Sequence, residues 1–487
     1  MKDLIDFLKD NTIWIVSVIL FIFYLIIEIY KDWDSVKHLF LGIWKVVCKA
    51  VFVFRTIRRD RYFTALGSTD YVEWERKTLN ALYSPAAEEY ERRRDGNASG
   101  CKTANLHGQL YDAVYFGSAE PIKYPFSKMY KKEELKTCGE AVYKCVDAFE
   151  KKYYNLLKTN IRFPNKIGYM LDGIDFSGGH HFTAYTGVYK ANLCTSHILE
   201  YELYRAYMKF RGYEIVSDMS LDNGKIDKKN GKLIFGRNND EFLRCYLPKR
   251  KAVHDKMRTT ADVFTSGAGR YSLIGVQAVV LCKNHSGGYD LLRIRRSRHV
   301  AAKAGFLQFI PSGGFEAYDN GTDFDTRFSN FSLPKALIRE FAEECLGVSD
   351  DKADNMSAEA QYADEKINKL LSMVEDEGSK TNIYYLGDTL GFAALRHELC
   401  FLFVIDDPKY ADNIKANMES SNVIGFIDIR YIRSKKFWKR SDKENDLKKL
   451  NPTSAALWCL VEESGILETL GVEHRVAADI PKNSITT

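Results

Sequence analysis

The segment ALIREFAEECLGV, residues 336–348, decides the fold of the C-terminal region. At about 100° per residue, a helix places Glu340, Glu343 and Glu344 along one side, with Arg339 as the only base among them, and an apolar face opposite. Glu340 and Glu344 are like-charged neighbours at i,i+4, which is unfavourable unless a cation lies between them. Hard cations such as Mg²⁺ prefer carboxylate oxygens. The charged hexapeptide alone fits a solvated helix face better than a metal site.

The sequence around this helix predicts a series of strands, because apolar and β-branched runs alternate with turn residues. These runs are SLIGVQAVVLCK (272–283), DLLRIRRSR (290–298), FLQFIPSGGFE (306–316), HELCFLFVID (397–406) and NVIGFIDIRYI (422–432). A closing helix is predicted at PTSAALWCLVEES (452–464).

This order of strand, strand, Pro-x-Gly-Gly turn and acidic helix resembles the Nudix hydrolase superfamily. The family signature runs from a glycine through a first glutamate to Arg-Glu-apolar-x-Glu-Glu-x-Gly. Here the stretch from Arg339 to Glu344 matches the second half, and Gly314 matches the signature glycine. The resemblance covers roughly residues 268–470. It implies an α/β/α Nudix sandwich with a mixed sheet in the C-terminal region, 268–487.

The sequence departs from the signature between its two halves. Gly314 lies 25 residues before Arg339, about eleven more than in the family, and the extra residues fall within 318–330. Phe331 stands where the family has its first glutamate, and Glu316 or an Asp of the insertion are alternatives for that role. One further residue separates the last glutamate from the closing glycine. These departures leave the substrate class and turnover open.

The resemblance also implies roles for the motif residues. Glu340 and Glu344 would be the main metal ligands or the base, and Glu343 would assist them. The carbonyl of Gly314 would be a further ligand, and Arg339 would orient the acids. The implied cofactor is Mg²⁺ or Mn²⁺, because hydrolysis of a diphosphate needs divalent ions to neutralise phosphate and activate water.

A basic cluster on the strand before the glycine turn is the candidate ligand-binding set. Arginine side chains suit phosphate oxygens because they donate two parallel hydrogen bonds. An ordinary basic strand edge is the alternative interpretation. The cluster consists of Arg293, Arg295, Arg296 and Arg298.

The N-terminal region, residues 1–60, predicts attachment to a membrane. NTIWIVSVILFIFYLII (11–27) carries no charge, which predicts a transmembrane helix over about 11–30. LFLGIWKVVCKAVFVF (39–54) fits either a second span, giving a helical hairpin, or an interfacial helix. The arginines that follow residue 54 predict that the main domains are cytoplasmic.

Composition bounds the rest of the chain. The 487 residues carry a net charge of only +5, so no affinity for nucleic-acid polymers is expected. The ten cysteines show no CxxC spacing, so neither a zinc site nor a disulfide framework is indicated. A middle region, 61–267, has mixed α/β character, and its His180-His181 pair is interpreted as structural or surface. The expected fold class is α+β.

Two functions fit these features. Membrane helices, a middle region and a terminal Nudix domain resemble the transmembrane-Nudix effectors of CBASS, a bacterial antiphage system. That resemblance implies sensing of a cyclic di- or oligonucleotide made by a linked nucleotidyltransferase, assembly as a homo-oligomer on activation, and inner-membrane disruption that aborts infection. The alternative is a membrane-tethered, Mg²⁺-dependent hydrolase of a nucleoside diphosphate derivative. Whether the domain is an enzyme stays open.

Overall fold

A computed structural model places the chain in two units, Met1–Arg61 and Tyr62–Thr487. The structure describes residues 12–29, 33–94, 96, 98–126, 134–136, 143–157, 166–177, 179–296, 303, 305–317, 324–348, 358–418, 424–432 and 447–472. The first unit contains helix α1, Thr12–Ile29, and most of helix α2, Trp33–Leu66.

The predicted transmembrane segment at about 11–30, alone or in a hairpin with 39–54, is wrong. Among the described residues, no helix is both long enough and apolar enough to cross a membrane. The 18 residues of α1 extend about 27 Å, whereas the hydrocarbon core is about 30 Å thick. The 34-residue α2 has the length, but Lys45, Lys49 and the arginines after residue 54 interrupt its apolar stretch.

The second unit is built on a nine-stranded mixed sheet with the order β1-β2-β13-β14-β9-β10-β11, in which β12 also pairs with β9 and β15 with β10. The expected mixed sheet is therefore present. Two three-stranded sheets, β3-β5-β4 and β6-β8-β7, complete the strands. The strands are β1 Cys101–Leu106, β2 Gln109–Lys123, β3 Leu135–Lys136, β4 Ile167–Asp175, β5 His181–Val188, β6 Glu214–Ser217, β7 Lys225–Asp227, β8 Lys232–Phe235, β9 Gly275–Lys283, β10 Tyr289–Arg295, β11 Leu307–Phe309, β12 Ser312–Gly314, β13 Asn382–Gly391, β14 Arg396–Ile405 and β15 Ile424–Asp428.

Helices cover both faces of this sheet. A 3₁₀ turn, Thr260–Phe264, and a π-helical turn, Leu193–His197, add to the α-helices. The remaining α-helices are α3 Thr69–Arg93, α4 Ala148–Leu157, α5 Tyr189–Asn192, α6 Ile198–Phe210, α7 Asp240–Tyr246, α8 Pro248–His254, α9 Phe324–Ser329, α10 Leu333–Leu346, α11 Ala358–Tyr362, α12 Glu365–Glu375, α13 Pro408–Met418, α14 Ile429–Ile432, α15 Pro452–Glu463 and α16 Ile466–Thr469.

The central strand β9 shows why the sheet needs helices on both sides. Side chains alternate between the faces of a strand, and nearly every residue of β9 is buried. Val276 and Val280 pack in one core with α10 and α13, whereas Val279 and Leu281 pack in a second core with α15. Helix α10 therefore lies on the face of β9 that carries Val276 and Val280, and the β12 turn contacts this helix.

The middle region joins the same sheet. β2 pairs antiparallel with β13, so the sheet crosses the predicted boundary at residue 267. The domain limits themselves stay a prediction. Strand β4 runs beside the segment after β12, where the Tyr169 N–H donates to the Phe315 carbonyl and the Ala317 N–H to the Ile167 carbonyl, both at 2.9 Å.

Candidate functional site

Helix α10 forms where the amphipathic pattern predicts it. Ser332 is at the N-cap position, and Pro334 in the first turn needs no backbone donor there. Gly347 ends the helix in the left-handed conformation, at φ 73°, with its N–H donating to the Ala342 carbonyl. The Phe341 ring stacks on Phe403 of β14 at 4.8 Å between centroids. The buried apolar face therefore fixes the direction of the acidic face.

The glycine turn lies directly against the acidic face of α10. The Ser312 N–H donates to Glu344 Oε2 at 2.6 Å. A Cβ at Gly313 would lie 1.8 Å from Glu340 Oε2, far inside any real contact. Only a residue without a side chain fits beneath that carboxylate.

Arg339 ties the acids to the backbone of the turn. Its guanidinium donates to the carbonyls of Gly314 and Glu316, each at 3.2 Å. It also forms ion pairs with Glu340 at 3.3 Å and Glu343 at 3.6 Å. The side chain is 3% exposed, so these contacts are largely desolvated. The predicted orienting role of Arg339 matches this geometry, and the Gly314 carbonyl accepts from Arg339.

The two central carboxyls carry raised pKa values. Burial raises the pKa of Glu344 to about 8, and the neighbouring Glu340 adds to the shift, while the Ser312 N–H and Arg296 oppose it. Burial is also the main cause of the raised pKa of Glu340, against the lowering effect of Arg339. The positive charge around these two neighbouring acids is too small to balance both carboxylates. A bound cation or a proton would reduce their repulsion.

Three side chains outside the predicted motif complete the site. Arg396 of β14 donates to the carbonyls of Gly313 and Leu273, each at 3.1 Å. Burial lowers the pKa of Arg296, and the carboxylates of Glu398 and Glu344 oppose that shift because they lie close to it. Glu398 Oε2 is buried with no hydrogen-bond partner.

The three described arginines of the predicted ligand-binding set do not converge. Leu292 of β10 packs in the core shared with α10, and Leu291 packs in the opposite core. Alternation along the strand therefore puts Arg293 and Arg295 on the face away from α10. Arg296, just after the strand, is the member of the set that faces Glu344. The predicted Arg298 lies outside the described residues.

The family's first acidic position is filled by an aromatic side chain. Phe331 is fully buried, and its ring stacks on Phe315 at 5.6 Å and lies 5.1 Å from Tyr169. Glu316, the alternative acid, is close to the site: its carboxylate pairs with Lys166 at 3.2 Å and lies 3.8 Å from Arg339. Glu316 therefore supplies a carboxylate near Glu340, although its charge is already matched by two bases.

The donor chemistry of the site fits a hard divalent cation in part. Glu340, Glu344 and the unpartnered oxygen of Glu398 are hard oxygen donors, which Mg²⁺ and Mn²⁺ prefer. Across the described ranges, however, no three His, Cys, Asp or Glu side chains are arranged as a metal-binding group. A cation at this site would thus take its ligands from two carboxylates together with water or phosphate oxygens, as Mg²⁺ commonly does.

Arg396 and Glu398 were missed by sequence reasoning, although a signal was present. They stand at alternate positions where β14 begins, immediately before its apolar residues, which places both on one face. The fold and the site together define a mixed α/β protein with buried, paired carboxylates facing arginines. No protein-family model matches the chain, and no curated protein matches its sequence. The Nudix likeness therefore stays a prediction from the motif.

Proposed function

We propose that the C-terminal region is a Nudix-type hydrolase of a nucleoside diphosphate derivative that works with Mg²⁺ or Mn²⁺. The observation that carries this proposal is the pair of carboxyls, buried Glu340 and half-buried Glu344, which lie against the Gly313 turn. Arg296 lies beside Glu344, and Arg396 donates to the Gly313 carbonyl. Diphosphates present adjacent anionic oxygens, and this combination of acids and arginines suits them.

Each residue has a separate part in the proposed reaction. A bound divalent cation would neutralise phosphate charge and lower the pKa of water. Glu344 and Glu340 would bind the cation that contacts the substrate's phosphates. Arg339 keeps Glu340 oriented through its ion pair. Arg296, buried next to Glu344, is placed to donate to a phosphate oxygen. Glu398, with a free buried oxygen, is placed to accept a proton from water.

The test is hydrolysis by the full chain with a panel of nucleoside diphosphate sugars and dinucleoside polyphosphates, with Mg²⁺ or Mn²⁺ present. The variant Glu344→Gln keeps the shape of the side chain and removes its charge. We expect kcat/KM to fall by about a hundredfold or more, because loss of a ligand or base acts mainly on the transition state. Released nucleotide is measured by chromatography.

The matched control is Glu365→Gln, which changes an exposed glutamate on α12. Its activity and melting temperature should equal those of the wild type. Equal activities of the wild type and Glu344→Gln, with both proteins folded, would remove α10 from the reaction. Absence of any turnover across the panel would remove the hydrolase proposal altogether.

A second candidate function is sensing of a cyclic di- or oligonucleotide without turnover. The buried Phe331 favours it, because the family's first acid is replaced by an aromatic ring packed on Phe315. The effector's predicted membrane span is not part of this candidate. Binding of a cyclic dinucleotide, measured by calorimetry, with the ligand recovered intact, would support sensing over hydrolysis. A linked nucleotidyltransferase and assembly on activation stay predictions.

A further inference from the structure

A serine, a histidine and an aspartate form a hydrogen-bonded chain away from the carboxylate site. Ser99 Oγ lies 2.6 Å from His180 Nε2, and His180 Nδ1 is hydrogen-bonded to Asp388 Oδ2. The three residues come from the segment before β1, the turn before β5, and β13. Such a chain has the order nucleophile, base and orienting acid, which is how a catalytic triad is recognised.

The Asp388 carboxylate fixes the direction of the hydrogen bonds around His180. Tyr385 lies with its hydroxyl 2.6 Å from Asp388 Oδ2 and 2.7 Å from His180 Nδ1. A carboxylate only accepts, so the network assigns donating hydrogens to the Tyr385 hydroxyl and to His180 Nδ1. His180 Nε2 is then an acceptor, and the Ser99 hydroxyl donates to it. This is the arrangement in which an imidazole removes a proton from a serine.

Burial separates the two ends of the chain. His180 is 4% exposed and Asp388 is fully buried, with the Phe176 ring packed against the imidazole at 4.9 Å. Ser99 is only half-buried. The base and the orienting acid are therefore shielded from water, which strengthens their interaction, while Ser99 lies at the more exposed end of the chain.

The backbone around Ser99 is held in place from both sides. Its carbonyl accepts from the Tyr90 hydroxyl at 3.3 Å. The preceding carbonyl, of Ala98, accepts from Arg94 at 3.0 Å. Ala98 also bridges to Ser177 in the turn that carries the histidine. The serine is thus positioned by contacts other than its bond to His180, as a nucleophile must be.

We propose that Ser99 is an activated nucleophile of a second reactive centre, with His180 as its general base and Asp388 as the residue that orients the imidazole. The substrate class is a carboxylic ester. Ser99 Oγ attacks the carbonyl carbon, an Oγ–C bond forms and the bond from that carbon to the alcohol oxygen breaks. The hydroxyl proton moves to His180 Nε2 and then to the leaving alcohol. Water then attacks the same carbon and gives its proton to His180 Nε2. The Oγ–C bond breaks, the proton passes from His180 to Ser99 Oγ, and the carboxylic acid leaves. This centre does not depend on the proposed diphosphate hydrolase.

The test uses a fluorophosphonate probe on the full chain. The Ser99 oxygen would bond to phosphorus, fluoride would leave, and the proton would pass to His180. Intact mass and peptide mapping should find one equivalent of label on Ser99. The variant Ser99→Ala should take up none, while Ser177→Ala, which removes a nearby exposed hydroxyl, should label at the wild-type rate.

The base is tested by the rate of labelling. His180→Gln and Asp388→Asn should each slow labelling by about a hundredfold or more, because a positioned base contributes a factor of this size. Circular dichroism and melting temperature establish that each variant is folded. No label on Ser99 in folded wild type would overturn the proposal. Equal rates in wild type and His180→Gln would show that the hydrogen bonds only fasten β1 to β13.

Discussion

The residue that most tightly constrains the carboxylate site is Gly313, next to the glycine that the motif identifies. Its carbonyl accepts from Arg396 at 3.1 Å, and its Cα lies beneath the Glu340 carboxylate. The Gly314 position is less crowded by acids: a Cβ there would meet Leu273 Cδ2 at 2.8 Å, the end of a side chain that can move. The two glycines therefore differ in what an added Cβ would meet: the Glu340 carboxylate at Gly313 and the end of the Leu273 side chain at Gly314.

Replacing Gly313 by alanine is expected to disrupt the site. The added Cβ would meet both oxygens of Glu340 and force this buried carboxyl or the β12 turn to move. We expect a loss of stability of about 1–3 kcal/mol, the usual effect of overpacking, together with loss of most of the proposed hydrolysis. Urea unfolding and kcat/KM measure the two effects. Gly288→Ala is the control, because its Cβ would meet Asn284 at an ordinary 3.5 Å.

At the scale of elements, the helices and strands could be predicted from local sequence patterns, whereas the contacts between them could not. The helix at 336–348 and the strands around it were predicted because a 3.6-residue or two-residue apolar repeat is readable within ten residues. The charged run YVEWERKTLNALYSPAAEEYERRR (71–94) predicts one or two amphipathic helices, and a single helix, Thr69–Arg93, is present. The arginines from 293 to 298 are predicted as one cluster because they are close in sequence, whereas alternation puts Arg293 and Arg295 on the face opposite to Arg296.

The prediction of a transmembrane helix from the apolar stretch at 11–27 failed for a different reason. Composition alone suggested a span, but a span also requires length and freedom from charge along the whole helix. α1 ends at Ile29 after 18 residues, with Glu28 in its last turn. In α2, Lys45 and Lys49 lie within the apolar run. The apolar run therefore predicts a helix here, whereas the length of that helix and the charges along it decide whether it can cross a membrane.

The joint between β2 and β13 depends on Gly387, where the register of the pairing shifts. Its φ is +146°, which L-residues rarely adopt, and a Cβ would lie 2.1 Å from the Phe116 carbonyl oxygen. We expect Gly387→Ala to lower the free energy of unfolding by about 1–3 kcal/mol or more, measured in urea. Gly117, which pairs with Gly387 in the neighbouring strand, provides the control. Gly117→Ala would place a Cβ 3.6 Å from Leu460, an ordinary contact, and an equal loss in both variants would contradict the argument.

At the scale of the whole second unit, the strongest links join residues that are far apart in sequence. β2 lies more than 250 residues before its sheet partner β13. The Ser99–His180–Asp388 chain likewise joins residues 81 and 208 positions apart. A single sequence carries no signal for such pairings, since each strand pattern is compatible with many partners. The second centre and the continuous sheet were missed for the same reason.

A buried cluster of charges joins four elements of this unit. Lys303, between β10 and β11, lies with Nζ 2.5 Å from Glu75 of α3, 3.7 Å from Asp112 of β2 and 3.8 Å from Glu200 of α6. All four residues are at most 8% exposed. Both carboxyl oxygens of Glu200 lack a hydrogen-bond partner. Three acids therefore share one lysine, and burial is the main cause that raises the pKa of Glu75 and of Glu200.

Glu200 should make the stability of the protein depend on pH. Burial is the main cause that raises its pKa from 4.5 to about 8, with Glu75 and Asp112 adding to the shift and Lys303 and Arg296 opposing it. A carboxyl whose pKa is higher in the folded state binds more protons there. Its contribution is therefore fully present below about pH 4.5 and is lost as the pH rises through about 8. The tyrosines that face this carboxyl are Tyr62, Tyr71 and Tyr153.

The expected outcome is a flatter pH profile in the variant Glu200→Gln, which cannot ionise. Because other carboxyls titrate in the same window, the difference in unfolding free energy between variant and wild type isolates Glu200. That difference should shift in favour of the variant by about 1 kcal/mol or more between pH 5 and pH 8, since one pKa unit corresponds to about 1.4 kcal/mol. Urea unfolding at several pH values measures it. Glu241→Gln, at an exposed position on α7, should leave the profile unchanged. A constant difference between Glu200→Gln and wild type would mean that Glu200 stays ionised throughout, with Lys303 sufficient to hold its charge inside the protein.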